Sequence, residues 1–267
     1  MNFPNFLTPS YPVHQELLER LQTHRFATTH QLSRFTAHHY SSKRSGLRQT
    51  LRHLQKLESQ ELVVRLERRI GGWQGGSSVS IWALSTSGYR VVSGTSRRQR
   101  PQEISTTFLG HLLAATEVSL VFTETIQGMD RWKVGIYQEP ACWRDYVGAH
   151  GQVITLKPDL AVEITGPDFT DRYFVEVDRA TENPARVVRK TRVYGDYLRS
   201  GVEQEKTGMF PAILWLVPTE KRRDQLRRYL SEEPELPRDL WIVLTLEDLP
   251  HLVRDGPENY LGVAPPP

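Results

Sequence analysis

Residues 156–197 constrain this chain more than any other stretch. Side chains on a strand alternate between its two faces. In 172–178 that rule sends Tyr173, Val175 and Val177 one way and Glu176 and Asp178 the other. On the run 160–165 before it, Ala161 and Glu163 share a face with Asp159. The polar turn 166–171 folds the two runs into a hairpin, and Pro184 then opens a helix, with Asn183 or Thr181 as its cap and Gly201 as its stop. Such a hairpin converges Asp159, Glu176 and Asp178. Three carboxylates so placed repel one another unless they are protonated or bound to a cation. Hard oxygen ligands suit Mg2+ or Mn2+, and such an ion activates water against a phosphodiester. The competing reading of the same pattern is an amphipathic hairpin with a solvated acidic face.

Around this hairpin the apolar periodicity predicts strands at 131–138, 211–217 and 241–246 and helices at 105–125 and 220–231. The order is helix, three strands in a meander, helix, strand, helix, strand, a mixed α/β layer. On the first helix Glu117 shares a face with Leu113 and Val121. It reads either as a carboxylate in need of a partner or as a border residue reaching water.

Charge separates the rest of the chain. Of 267 residues, the formal charge is +3, but residues 1–100 hold 15 Lys+Arg against 5 Asp+Glu, a balance of +10, and the remainder holds 19 against 26, a balance of −7. A basic segment is an electrostatic footprint for a polyanion. Two domains with different tasks fit this split better than one continuous basic surface: residues 1–92, a polar linker at 93–103, residues 104–250, and a tail at 251–267.

The basic third predicts helices near 13–24, 29–35 and 43–57, with Thr28 and Gln31 spaced as a capping box. On the third helix Leu47, Leu51, Leu54 and Leu57 form one face and Arg44, Arg48, Arg52 and Lys56 the opposite one. Apolar runs at 62–70 and 79–84 flank a glycine-rich tip and read as a β-hairpin. Three helices followed by a hairpin is the order of a winged helix-turn-helix, whose third helix enters the major groove while the wing touches the backbone. The candidate DNA contacts are Lys43, Arg44, Arg48 and Arg52 on the helix and Arg65, Arg68 and Arg69 on the wing. A merely solvated face, or a protein-interaction module, is the alternative. The His38-His39-Tyr40 run lacks a spaced histidine partner set and reads as turn and packing residues or a DNA contact.

Other classes are disfavoured. Cys142 is the single cysteine and has no internal disulfide partner, no Cys/His spacing fits structural zinc, and the N-terminus lacks signal-peptide order. No spanning apolar segment is expected, so the chain is expected to be soluble and cytoplasmic.

A Pro-Asp opening one strand, an acidic-x-acidic pair ending the next and a helix behind them resemble the PD-(D/E)XK nuclease core, with Asp178 where that core usually has lysine. The wider layout resembles the replication-relaxation family and the related MobC-class relaxases. The matching parts are the basic winged helix, Gly-His-Leu-Leu at 110–113, Lys-Pro-Asp at 157–159, Glu-Val-Asp-Arg-Ala-Thr-Glu at 176–182, and Lys190 with Tyr194. The resemblance implies an α+β chain, a winged helix-turn-helix followed by a restriction-endonuclease-like domain. It implies metal-dependent nicking of double-stranded DNA at an origin of transfer or replication. Asp159 and Glu176 are then ligands to Mg2+ or Mn2+, with Asp178 a third acidic residue, Glu117 a helix-borne ligand and Lys190 the catalytic cation. Transfer or replication proteins and a second copy of the chain are the implied partners, with no membrane. The alternative is a non-catalytic DNA-binding regulator or replication accessory factor on a degenerate nuclease fold.

Overall fold

A computed structural model describes residues 11–66, 80–94, 105–180, 183–233 and 237–263. The chain is α+β and divides into two compact units, Met1–Leu120 and Val121–Pro267.

The first unit begins with α1 (Pro12–His24), which buries Val13, Leu17, Leu18 and Leu21. Strand β1 (Ala27–Thr28) leads into α2 (Thr29–Phe35). The capping box forms as its spacing predicts, with Thr28 accepting from the Gln31 backbone and Gln31 reaching back to the Thr28 backbone. Helix α3 (Lys43–Ser59) starts from Ser42, whose side chain accepts from the Ser45 amide. Its fully buried line is Gly46, Thr50, Leu54 and Leu57, while Leu47 and Leu51 are only half-buried. The buried stripe is thus rotated from the expected leucine face. A small residue at 46 explains why, since a Cβ there would sit 3.1 Å from the Tyr40 ring.

Strands β2 (Val63–Leu66) and β3 (Ile81–Leu84) pair antiparallel, and β1 joins the other side of β3, giving the order β1-β3-β2. Trp82 is fully buried among Leu17, Leu21, Leu32, Leu54 and Leu57, and its indole N–H donates to the Thr29 hydroxyl at 2.9 Å. Helix α4 (Thr86–Ser93) closes against the end of this hairpin. Gly88 permits that approach, because a Cβ there would lie 1.9 Å from the Leu62 carbonyl oxygen.

Helix α5 (Thr106–Gln127) contains the boundary between the units. The composition shift had placed that boundary at 93–103. Instead the first half of α5 joins the first unit, where Leu109, Leu112 and Leu113 pack with Phe26, Leu66 and Ile81. Contrary to the expectation from the apolar runs, α5 is long and apolar enough by length and composition to cross a membrane. It also carries Glu117 and buries Leu109, Ala114, Val118, Leu120 and Phe122, as core helices do.

In the second unit, β4 (Lys133–Gln138), β7 (Leu160–Thr165) and β8 (Thr170–Val177) form the expected antiparallel meander. Between β4 and β7 the chain inserts a separate hairpin of β5 (Arg144–Val147) and β6 (Val153–Leu156). Helices α6 (Pro184–Ser200) and α7 (Val202–Thr207) follow, with Asn183 capping α6 and Gly201 ending it at φ 72°. Strand β9 (Ala212–Val217), α8 (Glu220–Ser231), β10 (Trp241–Thr245) and α9 (Leu249–Asp255) complete the unit. The sheet order is β10-β9-β8-β7-β4, with β8, β9 and β10 parallel. A parallel half is buried on both faces, which is why β9 and β10 are apolar nearly throughout. One face packs Phe174, Ile213, Trp215, Val217 and Val243 against Val187, Tyr194 and Tyr197 of α6 and Leu226 and Leu230 of α8.

Candidate functional site

Glu176 is the odd residue in that buried face. It lies two residues from Phe174 on β8 and shares its face, so it points toward the helix layer, and it is 1% exposed. Lys190 and Tyr194 lie one turn apart on α6 and therefore on one side of it. The Lys190 Nζ donates to Oε2 of Glu176 and the Tyr194 hydroxyl donates to Oε1. Extending the β7–β8 register by one residue sets Asp159 opposite Glu176. The Asp159 backbone N–H donates to the Val175 carbonyl at 3.1 Å, and its Oδ2 accepts from the Val177 amide at 2.7 Å. That second bond fixes the carboxylate beside the strand end.

Burial pushes the Glu176 carboxyl up to about 8, outweighing the Lys190 cation, and the neighbouring Asp159 charge adds to the rise. Burial also raises the Tyr194 hydroxyl well above its usual range, with the Glu176 and Asp159 charges adding to it. A carboxyl so far from water favours a proton, and a bound cation is the alternative that would keep it ionised. Each Glu176 oxygen offers two acceptor sites, and Lys190 and Tyr194 take one on each. Neighbouring carboxylates are the ligand type of Mg2+ or Mn2+, which keep several waters and take one or two protein carboxylates.

Asp178 shares the face of Glu176 but not its task. Arg222 at the start of α8 grips it with both arms, Nε to Oδ2 at 2.6 Å and Nη2 to Oδ1 at 3.3 Å. The Ala180 amide adds a third donor at 3.1 Å. Both side chains are buried, at 1% and 7% exposure. The expected third ligand is therefore a buried ion pair tying β8 to α8. Glu117 likewise departs from expectation. Its two carboxylate oxygens take up Gln31 and Arg34 of α2, an assembly within the first unit. Glu163, expected on the acidic face, pairs across the strands with Arg172 at 2.7 Å.

Sequence spacing passed over three supports of this site. Tyr194 and Arg222 belong to the segments that carry the family resemblance, but spacing gives them no role, because only the packing of α6 and α8 on β8 brings them to the carboxylates. Cys142 donates its thiol to the Pro158 carbonyl at 3.1 Å, directly before Asp159. Burial, with Glu139 next in weight, pushes that thiol up to about 12, so it is a packing group and not a nucleophile.

In the first unit Lys43, Arg44, Arg48 and Arg52 are all exposed on α3, and Arg65 is exposed on β2. These five form no ion pair among the described residues. Arg68 and Arg69 lie outside the described residues.

A family model described as replication-relaxation matches residues 18–213. No curated protein and no solved structure matches the chain.

Proposed function

From the premise that this chain belongs to the replication-relaxation family, we propose that it is a DNA-binding protein of a plasmid or mobile element that nicks DNA in a metal-dependent step. Family membership associates the chain with replication or relaxation in such elements. The observation that carries the reading is the convergence of Asp159, Glu176 and Lys190 at neighbouring strand ends and the helix behind them. Helix, three-strand meander, helix and parallel strand, with the acidic pair at the ends of β7 and β8, is similar to the PD-(D/E)XK nuclease core. Position 178 lacks the usual strand lysine, and Lys190 brings a cation to the same carboxylate from α6.

Asp159 and Glu176 would hold the Mg2+ or Mn2+ ion. When bound, such an ion activates water and neutralises charge on the phosphodiester. The chain's own residues do the rest. The Val177 amide orients Asp159, Tyr194 fixes Glu176, and the Lys190 ammonium, 34% exposed, offers positive charge toward the solvent side. The Arg222–Asp178 pair holds β8 against α8 so that Glu176 keeps its place.

The order α1-β1-α2-α3-β2-β3 is that of a winged helix-turn-helix, with α3 as the helix for the major groove and the β2–β3 hairpin as the wing. Exposed cations on both elements support duplex DNA as its partner. The test is supercoiled origin-bearing DNA incubated with Mn2+ or Mg2+. Open circles are expected from the parent chain and none from Asp159→Ala or Glu176→Gln.

A second reading, a non-catalytic DNA-binding regulator or accessory factor, is favoured by one observation: both Glu176 oxygens and both Asp178 oxygens already have protein donors. Intact binding of origin DNA without open circles under either metal would select it.

A further inference from the structure

The turn between α2 and α3 holds a set of ligand atoms that the nicking site does not use. His38 and His39 occupy a single 3-10 turn, Ala37–His39, with ring centroids 4.1 Å apart. Both present Nε2 to the same oxygen of Glu16 on α1, His39 at 2.9 Å and His38 at 3.2 Å. The other Glu16 oxygen accepts from Arg20 at 3.0 Å, one turn along α1, which fixes the plane of the carboxylate. All three ligand atoms lie within 4.8 Å of one another. Donors bound to one ion at ~2.0–2.1 Å in a tetrahedron stand about 3.3 Å apart, close to the 2.9 and 3.2 Å that separate the two imidazole nitrogens from the Glu16 oxygen.

We propose that Glu16, His38 and His39 bind a first-row transition cation of the zinc class, with solvent completing the coordination. Two imidazoles and one carboxylate select Zn2+, Co2+ or Ni2+ over Mg2+, which prefers an all-oxygen shell. The side chains are reachable, at 56% exposure for His38 and 26% for His39. An ion here would clamp α1 to the turn directly before Ser42, the cap of α3. It would thereby restrain the helix that carries Arg44, Arg48 and Arg52. That consequence, unlike the site itself, rests on α3 being the DNA-reading helix.

The experiment uses the full, tag-free chain carrying Glu176→Gln, so that the carboxylate pair of the second unit does not compete. Co2+ is titrated while its visible d–d absorption is followed, and Zn2+ is then added to displace it. One saturable equivalent with tetrahedral bands is expected, displaced by Zn2+. Glu16→Gln or the double change His38→Ala, His39→Ala should weaken uptake by at least about tenfold, with circular dichroism confirming that each variant is folded. Uptake unchanged by these substitutions, or absent from the folded chain, overturns the site. So does uptake lost only on changing His14 and His53, whose rings share a 2.8 Å hydrogen bond nearby. DNA affinity is measured in parallel with and without Zn2+. A zinc effect in the chain with intact ligands that disappears in Glu16→Gln supports the clamp, and an unchanged affinity with zinc bound overturns it. DNA binding absent under every condition overturns the winged-helix reading while leaving the metal site standing.

Discussion

In the first unit the arginines at 44, 48 and 52 stand in water along one side of α3, with apolar packing confined to the other side. In the second unit Glu176, Asp178, Glu203, Arg222 and Arg227 are buried, and each is matched to a specific donor or acceptor. The same residue types thus do opposite work. Exposed, unpaired cations create a field that a polyanion can answer by releasing its counterions. Buried charges lose hydration and persist only when partners are fixed around them, so they position groups within ångströms. One unit leaves its charges to solvent, and the other fixes them against partners inside the fold.

The comparison predicts effects of descending size. Removing either Asp159 or Glu176 should lower nicking by more than about 100-fold, since even partners behind a metal ligand cost ~10–100-fold. DNA affinity at the first unit should be unchanged by either substitution, and plasmid nicking alongside gel shift reads both. Arg222→Ala leaves Asp178 buried without its partner and should cost about 3–5 kcal/mol of stability, seen as a lower urea midpoint. Replacing the pair together, Asp178→Asn with Arg222→Met, should recover most of that loss. On the exposed side, Arg48→Ala with Arg52→Ala should leave stability within ~0.5 kcal/mol. The same pair of changes should flatten the salt dependence of DNA binding by about one log-log unit per lost phosphate contact. An unchanged slope removes these residues from the interface.

Acidity should separate the units as well. Burial, and then the Arg20 charge, lowers His24 from 6.5 to about 3. Below pH 6.5 the unfolded chain takes up a proton that folded His24 refuses, so its contribution to stability is lost as pH falls from 6.5 toward 3. Glu176 runs the other way, its carboxyl raised from 4.5 to about 8 by burial. Above pH 4.5 the unfolded chain releases a proton that folded Glu176 keeps, so stability is lost as pH rises from 4.5 toward 8. Melting temperatures across pH 4–9 should show His24→Gln flattening the acid limb and Glu176→Gln the alkaline limb. An alkaline limb that Glu176→Gln leaves intact would sink this account of the buried carboxyl. The smallest effect is local: Thr28→Ala breaks the capping box of α2 and should cost ~1 kcal/mol.

Much of the fold was legible because its signals are local. The Thr28–Gln31 box, the Asn183 cap, the Gly201 stop and the period-2 run of β8 are encoded within a few residues and formed as read. The β5–β6 hairpin, α7 and α9 were missed, each being short. The rotated face of α3 escaped periodicity, because Gly46 and Thr50 do not look apolar yet fit the closest packing.

The site divides along the same line. Spacing alone placed Asp159 and Glu176 on facing strands, because alternation and register follow from backbone geometry that any sequence shares. It could equally place Asp178 and Glu117 as ligands, and there it had no means of choosing. Whether a carboxylate keeps room for an ion or closes on a guanidinium depends on which distant cation the fold delivers. Arg222 comes to Asp178 from 44 residues away and Arg34 to Glu117 from 83. The sequence determined the strand pair, the basic helix and the charge division between the ends of the chain. Only the tertiary structure decided which acids are spent on internal pairing, since Coulomb and desolvation energies depend on distance and burial, which linear order does not carry.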